Sequence, residues 1–361
     1  MPRVRPAIAI VAVLSATVVP FAAAADLAPT RPAVTLRATL TASTGSTSLA
    51  VGGPDRFAAR PLAGEIGPLG SLVVNRGLRT EFLDGSGIRI ARTFPAAPDG
   101  AGLWQLLSPS SDTLLARVRG GTASLTPARF AGRASLRGTV RLGGNDCAGL
   151  RGGVRTIDLD RATLLPLRVR TQRAGARAEV VTVAPRALNR PVPAAAFRLA
   201  GPIRAGDPRL DQGFRRTSPA AAARNLPYAP ALPSAAAVPG GFALAVSGWA
   251  PRTETTGAEG SIPPGRSLFQ AVYARGWERV ELTQRASGGR GWPADPFGVE
   301  CGRLTTTRVT VDGIPATFGI GPEIAPHLFW RDGAVLHTVS GPFPAATLIQ
   351  IAESLTPVTA S

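Results

Sequence analysis

The last part of the chain holds two apolar runs that meet at a turn. The pair Asp332-Gly333 suits the positive φ angles of a type I′ turn, so residues 326–331 and 334–340 are predicted to form a tight hairpin. Gly341-Pro342 then ends the sheet, and Pro344 is predicted to open a short helix whose apolar residues share one face. The chain therefore ends in a helix that packs on a sheet.

The same stretch carries three short motifs in a fixed order. FWRDG at residues 329–333 is followed by TVSGPFP at 338–344 and LIQIAESL at 348–355. This order resembles the C-terminal domain of the MucB/RseB family of periplasmic sigma-E regulators. It is similar, to the same degree, to the small extracytoplasmic domains of some anti-sigma factors. Neither family is enzymatic, so the resemblance implies a protein that works by binding.

The first residues have the three parts of a secretory signal peptide. A basic start precedes an apolar run at residues 7–19, and an alanine-rich end completes residues 1–25. We expect cleavage after Ala24 or Ala25 and export to a periplasmic or extracytoplasmic location. The alternative is an uncleaved leader that holds the chain at the membrane. Export argues against nucleic acid as a partner.

The composition favours two domains. A length of 361 residues with 44% apolar residues is enough for two buried cores. The chain has 40 basic against 23 acidic residues, and every basic residue is an arginine. A GC-rich genome explains the missing lysines. The alternative interpretation is that the formal charge of +17 attracts anionic partners such as lipid headgroups or an acidic protein tail.

Residues 26–205 are predicted to form a curled antiparallel β half-barrel, the first part of an α+β protein. Residues 34–41 alternate apolar and polar side chains, which is the pattern of a strand with one buried face. Helical periodicity is weak up to about residue 119. Further strands are predicted at residues 71–75, 79–83, 88–94 and 113–118.

The end of this domain, residues 154–197, has strand, acidic turn, strand, hairpin and proline-rich close in that order. It resembles the lipoprotein-carrier fold that the LolA family shares with the N-terminal domain of MucB/RseB. The helix that usually opens this fold is not evident between Asp26 and Val34. The positions that match the family motif are Asp158, Asp160, Thr163, Leu165, Pro166, Leu167, Asn189, Pro191 and Phe197.

The resemblance implies a dry apolar cavity under the curved sheet, of the kind that suits lipid or lipoprotein acyl chains. The apolar patch GLWQLL at residues 102–107 provides the candidate lining residues Trp104, Leu106 and Leu107. The tryptophan either lines such a cavity or simply plugs the concave face of the sheet.

A linker at residues 206–216 leads to a second, smaller α+β domain at 217–356. Ser218 is predicted to cap a short helix at residues 219–224. The proline-rich crossing and the entry into a strand at Phe242 again resemble the opening of MucB/RseB-type and anti-sigma sensor domains. Hairpin strands are predicted at residues 268–275 and 278–283, around Gly276.

The sequence shows no catalytic or metal-binding motif that we recognise. His327 and His337 are the only histidines, and strand alternation places them on opposite sides of the sheet, which argues against a shared metal. Glu278 and Glu281 also point to opposite faces and are predicted to be solvated charges. Asp158 and Asp160 are predicted to form a turn rather than a calcium site, because no further ligands follow them.

These observations favour a non-enzymatic exported protein without cofactor. The MucB/RseB resemblance implies a regulator that binds the periplasmic part of a membrane anti-sigma factor, guards it from proteolysis and responds to lipid. The alternative is a lipid or lipoprotein carrier that uses only the first domain. A third hypothesis, a secreted hydrolase, lacks a nucleophile and base motif.

We predict a disulfide between Cys147 and Cys301, one cysteine from each expected domain. In an oxidising compartment an isolated pair favours a bond, and closing so long a loop contributes roughly 2–4 kcal/mol. Peptide mapping of the non-reduced exported protein should recover one cross-linked peptide pair. Two free thiols in freshly purified protein would show the prediction to be wrong.

Overall fold

The computed structural model describes residues 35–43, 45–53, 56–64, 72–76, 79–83, 89–93, 102–143, 151–198, 204–205, 214–252, 266–286, 304–322 and 324–359. Within these ranges the protein contains two large sheets, one small sheet and three α-helices. The expected α+β class is confirmed. No helix in the described ranges is both long and apolar enough to cross a membrane.

The first sheet is open, with twelve strands among the described residues. Its order is β12-β6-β5-β4-β3-β2-β1-β11-β10-β9-β8-β7, and only the β12–β6 pairing is parallel. The strands are β1 Leu36–Ala42, β2 Gly45–Gly53, β3 Arg56–Gly64, β4 Leu72–Arg76, β5 Arg79–Leu83, β6 Arg89–Thr93, β7 Thr126–Phe130, β8 Arg133–Leu142, β9 Gly153–Asp160, β10 Pro166–Arg173, β11 Glu179–Leu188 and β12 Arg204–Ala205.

Strand β1 has the predicted period of two. Leu36, Ala38 and Leu40 are buried, whereas Arg37 is exposed and Thr39 is half-buried. The strand lies in the middle of the sheet between β2 and β11, so the chain must return to it after some 140 residues of sequence. This return ties the N-terminal strands to the motif region at residues 154–197.

The helix α1, Gly102–Arg119, covers one face of the first sheet above β8, β9 and β10. Its Leu114 and Leu115 enter the core of that sheet. A Cβ atom on Gly138 of β8 would lie 2.6 Å from Leu114 Cδ1, so only glycine lets the helix approach this closely.

The prediction of a strand at residues 113–118 is therefore wrong. Ser108-Pro109 favours a break in any helix, because proline lacks the N–H that would bond to the carbonyl of Gln105. Burial of Leu114, Leu115 and nearby residues against the sheet outweighs this local preference. Among the described residues, this helix follows six strands.

The second sheet has eight strands in the described ranges, ordered β13-β15-β16-β17-β21-β20-β19-β18, and a two-stranded sheet joins β14 to β22. The strands are β13 Arg215–Arg216, β14 Ala231–Pro233, β15 Ala243–Arg252, β16 Arg266–Arg275, β17 Glu278–Ala286, β18 Thr305–Val311, β19 Ile314–Ile320, β20 His327–Asp332, β21 Val335–Ser340 and β22 Leu355–Pro357. The helices are α2 Pro219–Ala223 and α3 Ala345–Glu353.

Both short helices begin where the sequence predicts. The Ser218 hydroxyl accepts a hydrogen bond of 3.2 Å from the N–H of Ala221 and caps α2, while Pro344 occupies the N-cap of α3. Leu348 and Ile351 of α3 are buried against one face of the second sheet. This is the helix-on-sheet packing expected for the end of the chain.

The hairpin of β20 and β21 forms with a register different from the predicted one. Asp332 pairs with Val335, so the loop is residues 333–334 rather than Asp332-Gly333, and His327 faces Ser340 instead of Thr338. The observed register differs from the predicted one by two residues, so every side chain stays on the predicted face of the sheet. His327 and His337 consequently lie on opposite faces, as predicted.

His337 is half-buried on β21, between Trp330 of β20 and Gln284 of β17. Its ring stacks on Trp330 at 4.8 Å between centroids with an interplanar angle of 11°. Burial lowers the pKa of His337 to about 4, although the nearby Asp332 carboxylate acts in the opposite direction. The neutral imidazole is therefore the form that the fold accepts.

We expect stability to fall in acid through His337. The unfolded chain takes up a proton near pH 6.5 and the folded one only near pH 4, so the free energy of unfolding should drop between these values by at most about 1.4 kcal/mol per pH unit. His337→Phe keeps a ring on Trp330 and should remove this slope. Urea titrations at several pH values test it, and an equal slope in both proteins would contradict the assignment.

Candidate functional site at the junction of the two sheets

The candidate cavity residues predicted from the sequence lie at the start of α1, and the two cysteines lie outside the described ranges. Trp104, Leu106 and Leu107 lie in the first half of α1, and their side chains are outside the described part of the structure. Cys147 and Cys301 also lie outside it. The cavity and the disulfide therefore stay predictions, whereas the second half of α1 is described in atomic detail.

The second half of α1 is held by backbone carbonyls of the second sheet. The Ser110 hydroxyl donates to the carbonyl of Pro322 at 2.5 Å, and the Thr113 hydroxyl donates to the carbonyl of Gly321. Both donors are fully buried. Since Gly321-Pro322 directly follows β19, the helix is fastened to the end of a strand in the other sheet.

Arg155 on β9 supports this contact from the first sheet. Its Nη1 donates to the Ser110 hydroxyl at 2.6 Å and to the Pro322 carbonyl at 3.1 Å, and its Nε donates to Thr171 of β10 at 3.0 Å. The residue is 6% exposed. One guanidinium thus joins two strands of the first sheet, α1 and a loop of the second sheet.

The C-terminal end of α1 carries the centre of the junction, which is an ion cluster of Arg119, Glu278 and Arg275. Glu278 Oε1 accepts from Arg119 Nη2, and Oε2 accepts from Arg275 Nε and Nη2 at 3.1 and 2.7 Å. The three side chains are 8%, 2% and 7% exposed in that order. We refer to these three residues as the junction cluster.

Backbone carbonyls and aromatic rings complete the surroundings of the cluster. Arg119 Nη1 donates to the Pro342 carbonyl at 2.5 Å, and its guanidinium lies 4.5 Å from the ring centroid of Phe343. Arg275 is bound in the same way, 2.7 Å from the Gly240 carbonyl and 4.5 Å from the ring of Phe242. Ring contact and hydrogen bonds offset the desolvation of these charges.

A tight hairpin supplies two members of the cluster. Arg275 pairs with Glu278 across the two-residue loop Gly276-Trp277, and Gly276 adopts the left-handed conformation with φ +59°. Trp277 at the tip packs against the core of the first sheet. The hairpin of β16 and β17 therefore reaches across the junction with an aromatic anchor and a buried carboxylate.

The prediction that Glu278 is a solvated charge is wrong. Its partner Arg119 is 159 positions away in the sequence, so no local pattern could pair them. The local signal was Arg275-Gly276-Trp277-Glu278, in which opposite charges flank a turn and an aromatic residue. That signal indicates an ordered hairpin turn, but it does not predict which part of the protein the turn contacts.

The acidic residues at the end of β9 have a structural role, and Asp158 lies within the strand rather than in a turn. Asp158 is fully buried, and its two oxygens accept from Nε of Arg137 and Nε of Arg168, each at 2.7 Å. Asp160 pairs with Arg133 at 2.8 Å and accepts from backbone amides of the turn that follows. Among the described residues, no three His, Cys, Asp or Glu side chains are grouped to hold a metal ion.

The solved structures to which the chain is similar include MucB and its complexes with MucA. No protein-family model and no curated protein matches the sequence. The complex of Pseudomonas aeruginosa MucA/MucB is 15% identical over 93% of this chain and 96% of that chain, with a TM-score of 0.29. MucB in complex with MucA(peri) is 14% identical over 91% and 94%, with a TM-score of 0.25. MucB alone is 15% identical over 92% and 95%, with a TM-score of 0.27.

The resemblance to MucB that the sequence motifs indicate thus recurs among solved structures. These identities and TM-scores are too low to transfer a role to any residue. What the chain does has to follow from its own contacts.

Removing Glu278 should destabilise the protein more than removing Arg119. Glu278→Ala leaves two buried arginines without their shared carboxylate, at a cost of about 3–5 kcal/mol, whereas Arg119→Ala leaves the carboxylate paired with Arg275. Glu353→Ala removes an exposed carboxylate at the end of α3 and is the matched control. Urea unfolding of the three variants measures the order, and equal midpoints for Glu278→Ala and Glu353→Ala would contradict it.

Proposed function

We propose that this protein is an exported, non-enzymatic regulator that binds the extracytoplasmic part of a membrane anti-sigma factor. In this proposal a lipid bound near the start of α1 modulates that binding. The sequence motifs at residues 154–197 and 329–355 support the proposal, because the families they resemble work in this way. The solved MucB complexes with MucA are in keeping with it.

The observation that carries the proposal is the extent of α1. One helix of 18 residues bears the three cavity candidates in its first half and the contacts to the second sheet in its second half. At about 1.5 Å per residue, Trp104 and Arg119 are separated by roughly 22 Å along the helix. A single continuous helix of this kind connects a ligand site with a distant protein surface.

Pro109 divides the helix between these two halves. The missing backbone hydrogen bond lowers the resistance of the helix to bending at this point. A ligand that displaces the first half can therefore change its angle to the second half, which Ser110 and Thr113 hold against Gly321-Pro322. The second sheet then senses the ligand through the loop that follows β19.

The histidines favour binding over catalysis. His337 is stacked under Trp330 with its pKa lowered to about 4, and His327 lies on the other face with its Nδ1 3.0 Å from the carbonyl of Ala325. Neither position presents an imidazole to a nucleophile within the described part of the chain. We therefore propose a role that depends on surfaces rather than on a reactive group.

The full chain without its leader should capture the purified extracytoplasmic segment of a membrane anti-sigma factor of the same organism. Glu278→Ala should weaken this capture by about tenfold or more, because the second sheet loses its fixed position against α1. Glu353→Ala should capture the segment as the parent chain does. Immobilised segments and biolayer interferometry provide the measurement.

Native mass spectrometry of the same preparations distinguishes the lipid-responsive regulator from the lipid or lipoprotein carrier, the two functions that the sequence favours. Co-purified lipid together with capture supports the sensor. Co-purified lipid without capture of any anti-sigma segment would instead favour the lipid or lipoprotein carrier. Capture that is unchanged in Glu278→Ala would show that the junction has no part in partner binding.

A further inference from the structure

Among the described residues the two large sheets end in four edge strands, and three of these are protected against further pairing. β12 and β13 have only two residues each. β7 carries Pro127, which has no N–H to offer to another strand. Short edges and edge prolines are the usual devices that prevent a sheet from adding a strand.

The fourth edge, β18, has none of these devices. It has seven residues, TTTRVTV, without proline or glycine, and it pairs only with β19 among the described residues. Thr305 to Arg308 and Thr310 are exposed. A long edge strand without such protection offers unpaired backbone groups to which another extended chain can bind.

The hairpin geometry identifies the backbone groups that face outward. Asp312 and Gly313 both have positive φ, at +47° and +77°, and form a two-residue loop between Val311 and Ile314. In such a hairpin the pair that flanks the loop exchanges both backbone hydrogen bonds, and every second pair does so along the ladder. Thr306, Arg308 and Thr310 therefore point their N–H and C=O groups at the open edge.

The edge is also held in place from behind. Val311 is buried and Val309 packs against the same core, on the face that carries α3. On the partner strand β19, Ala316 and Phe318 enter that core as well. An edge fixed in its extended form loses little conformational entropy when another strand is added.

We propose that β18 is a docking edge for an extended segment of a partner protein, which adds to the second sheet as a ninth strand with an acidic residue opposite Arg308. Arg308 is exposed at the middle of β18, and the chain as a whole carries a formal charge of +17. Backbone hydrogen bonds supply the affinity, and the carboxylate sets the register.

A second copy of this chain does not fit the edge. Two copies could pair their β18 strands antiparallel across a two-fold axis. With full overlap of the two strands, Arg308 at the centre of one lies directly opposite Arg308 of the other. Like charges in directly opposed positions destabilise a pair of strands. A segment with aspartate or glutamate at that position replaces this repulsion with an ion pair.

The identity of the partner rests on the proposed function, since the segment is taken to belong to the anti-sigma factor. Two substitutions test the edge in the full chain. Thr306→Pro removes one outward N–H and is tolerated at an edge, and Arg308→Glu reverses the charge. The matched control is Arg129→Glu, which makes the same charge change at an exposed position of the β7 edge.

We expect each β18 variant to weaken capture of the anti-sigma segment by about tenfold, while Arg129→Glu leaves capture unchanged. Hydrogen exchange should show fast amides at Thr306, Arg308 and Thr310 in the free protein and protection in the complex. Unchanged capture by both variants would overturn the inference while the proposed function stands. Slow exchange at these amides in the free chain would overturn it too, because the edge would already be covered.

A second probe keeps the edge and the proposed function distinguishable. A synthetic peptide of alternating valine and glutamate should protect the same three amides, and its lysine counterpart should not. If the peptide binds in this way but no anti-sigma segment is captured, the edge is supported and the proposed function fails. If neither peptide protects the amides, the inference is wrong.

Discussion

The arrangement of the two sheets depends on the ion cluster of Arg119, Glu278 and Arg275. Two positive charges and one negative charge lie almost out of contact with water, a situation that costs several kcal/mol per ion unless every donor is bound. The planar guanidinium makes this possible, since it can bond a carboxylate, bond a carbonyl and stack on a ring at once. A lysine at position 119 could not do all three. The arginine-only composition thus has a structural use, whatever its genomic cause.

The cluster also explains why the hairpin of β16 and β17 is so tight. Arg275 donates to the Glu278 carboxylate across a two-residue loop, and Gly276 at φ +59° permits that loop. The same loop sends Trp277 to the core of the first sheet. A carboxylate and an indole from one turn therefore contact α1 and the core of the first sheet respectively, and two separate contacts restrict the angle between the hairpin and the first sheet as well as their distance.

The sequence predicted correctly those features whose backbone angles depend on a few neighbouring residues. Ser218 and Pro344 specify backbone angles within a few residues, and the two helices that they predict are both present. The helix α1 was not predicted because helical periodicity is weak up to about residue 119, and burial of Leu114 and Leu115 on strands that come later in the chain stabilises it. The burial of Glu278 depends on Arg119, and no pattern within the hairpin could reveal it.

The junction and the open edge lie at the two ends of one short connection. β18 pairs with β19 along its whole length, and β19 ends at Ile320, immediately before the Gly321-Pro322 carbonyls that hold α1. A strand added to β18 would stiffen β19. It would also stiffen the Gly321-Pro322 loop, whose carbonyls accept hydrogen bonds from α1. In the opposite direction, a shift of α1 would pull on β19 and alter the twist of the edge. Because linkage is reciprocal, a ligand that moves α1 and a segment that pairs with β18 must influence each other's binding to the same extent.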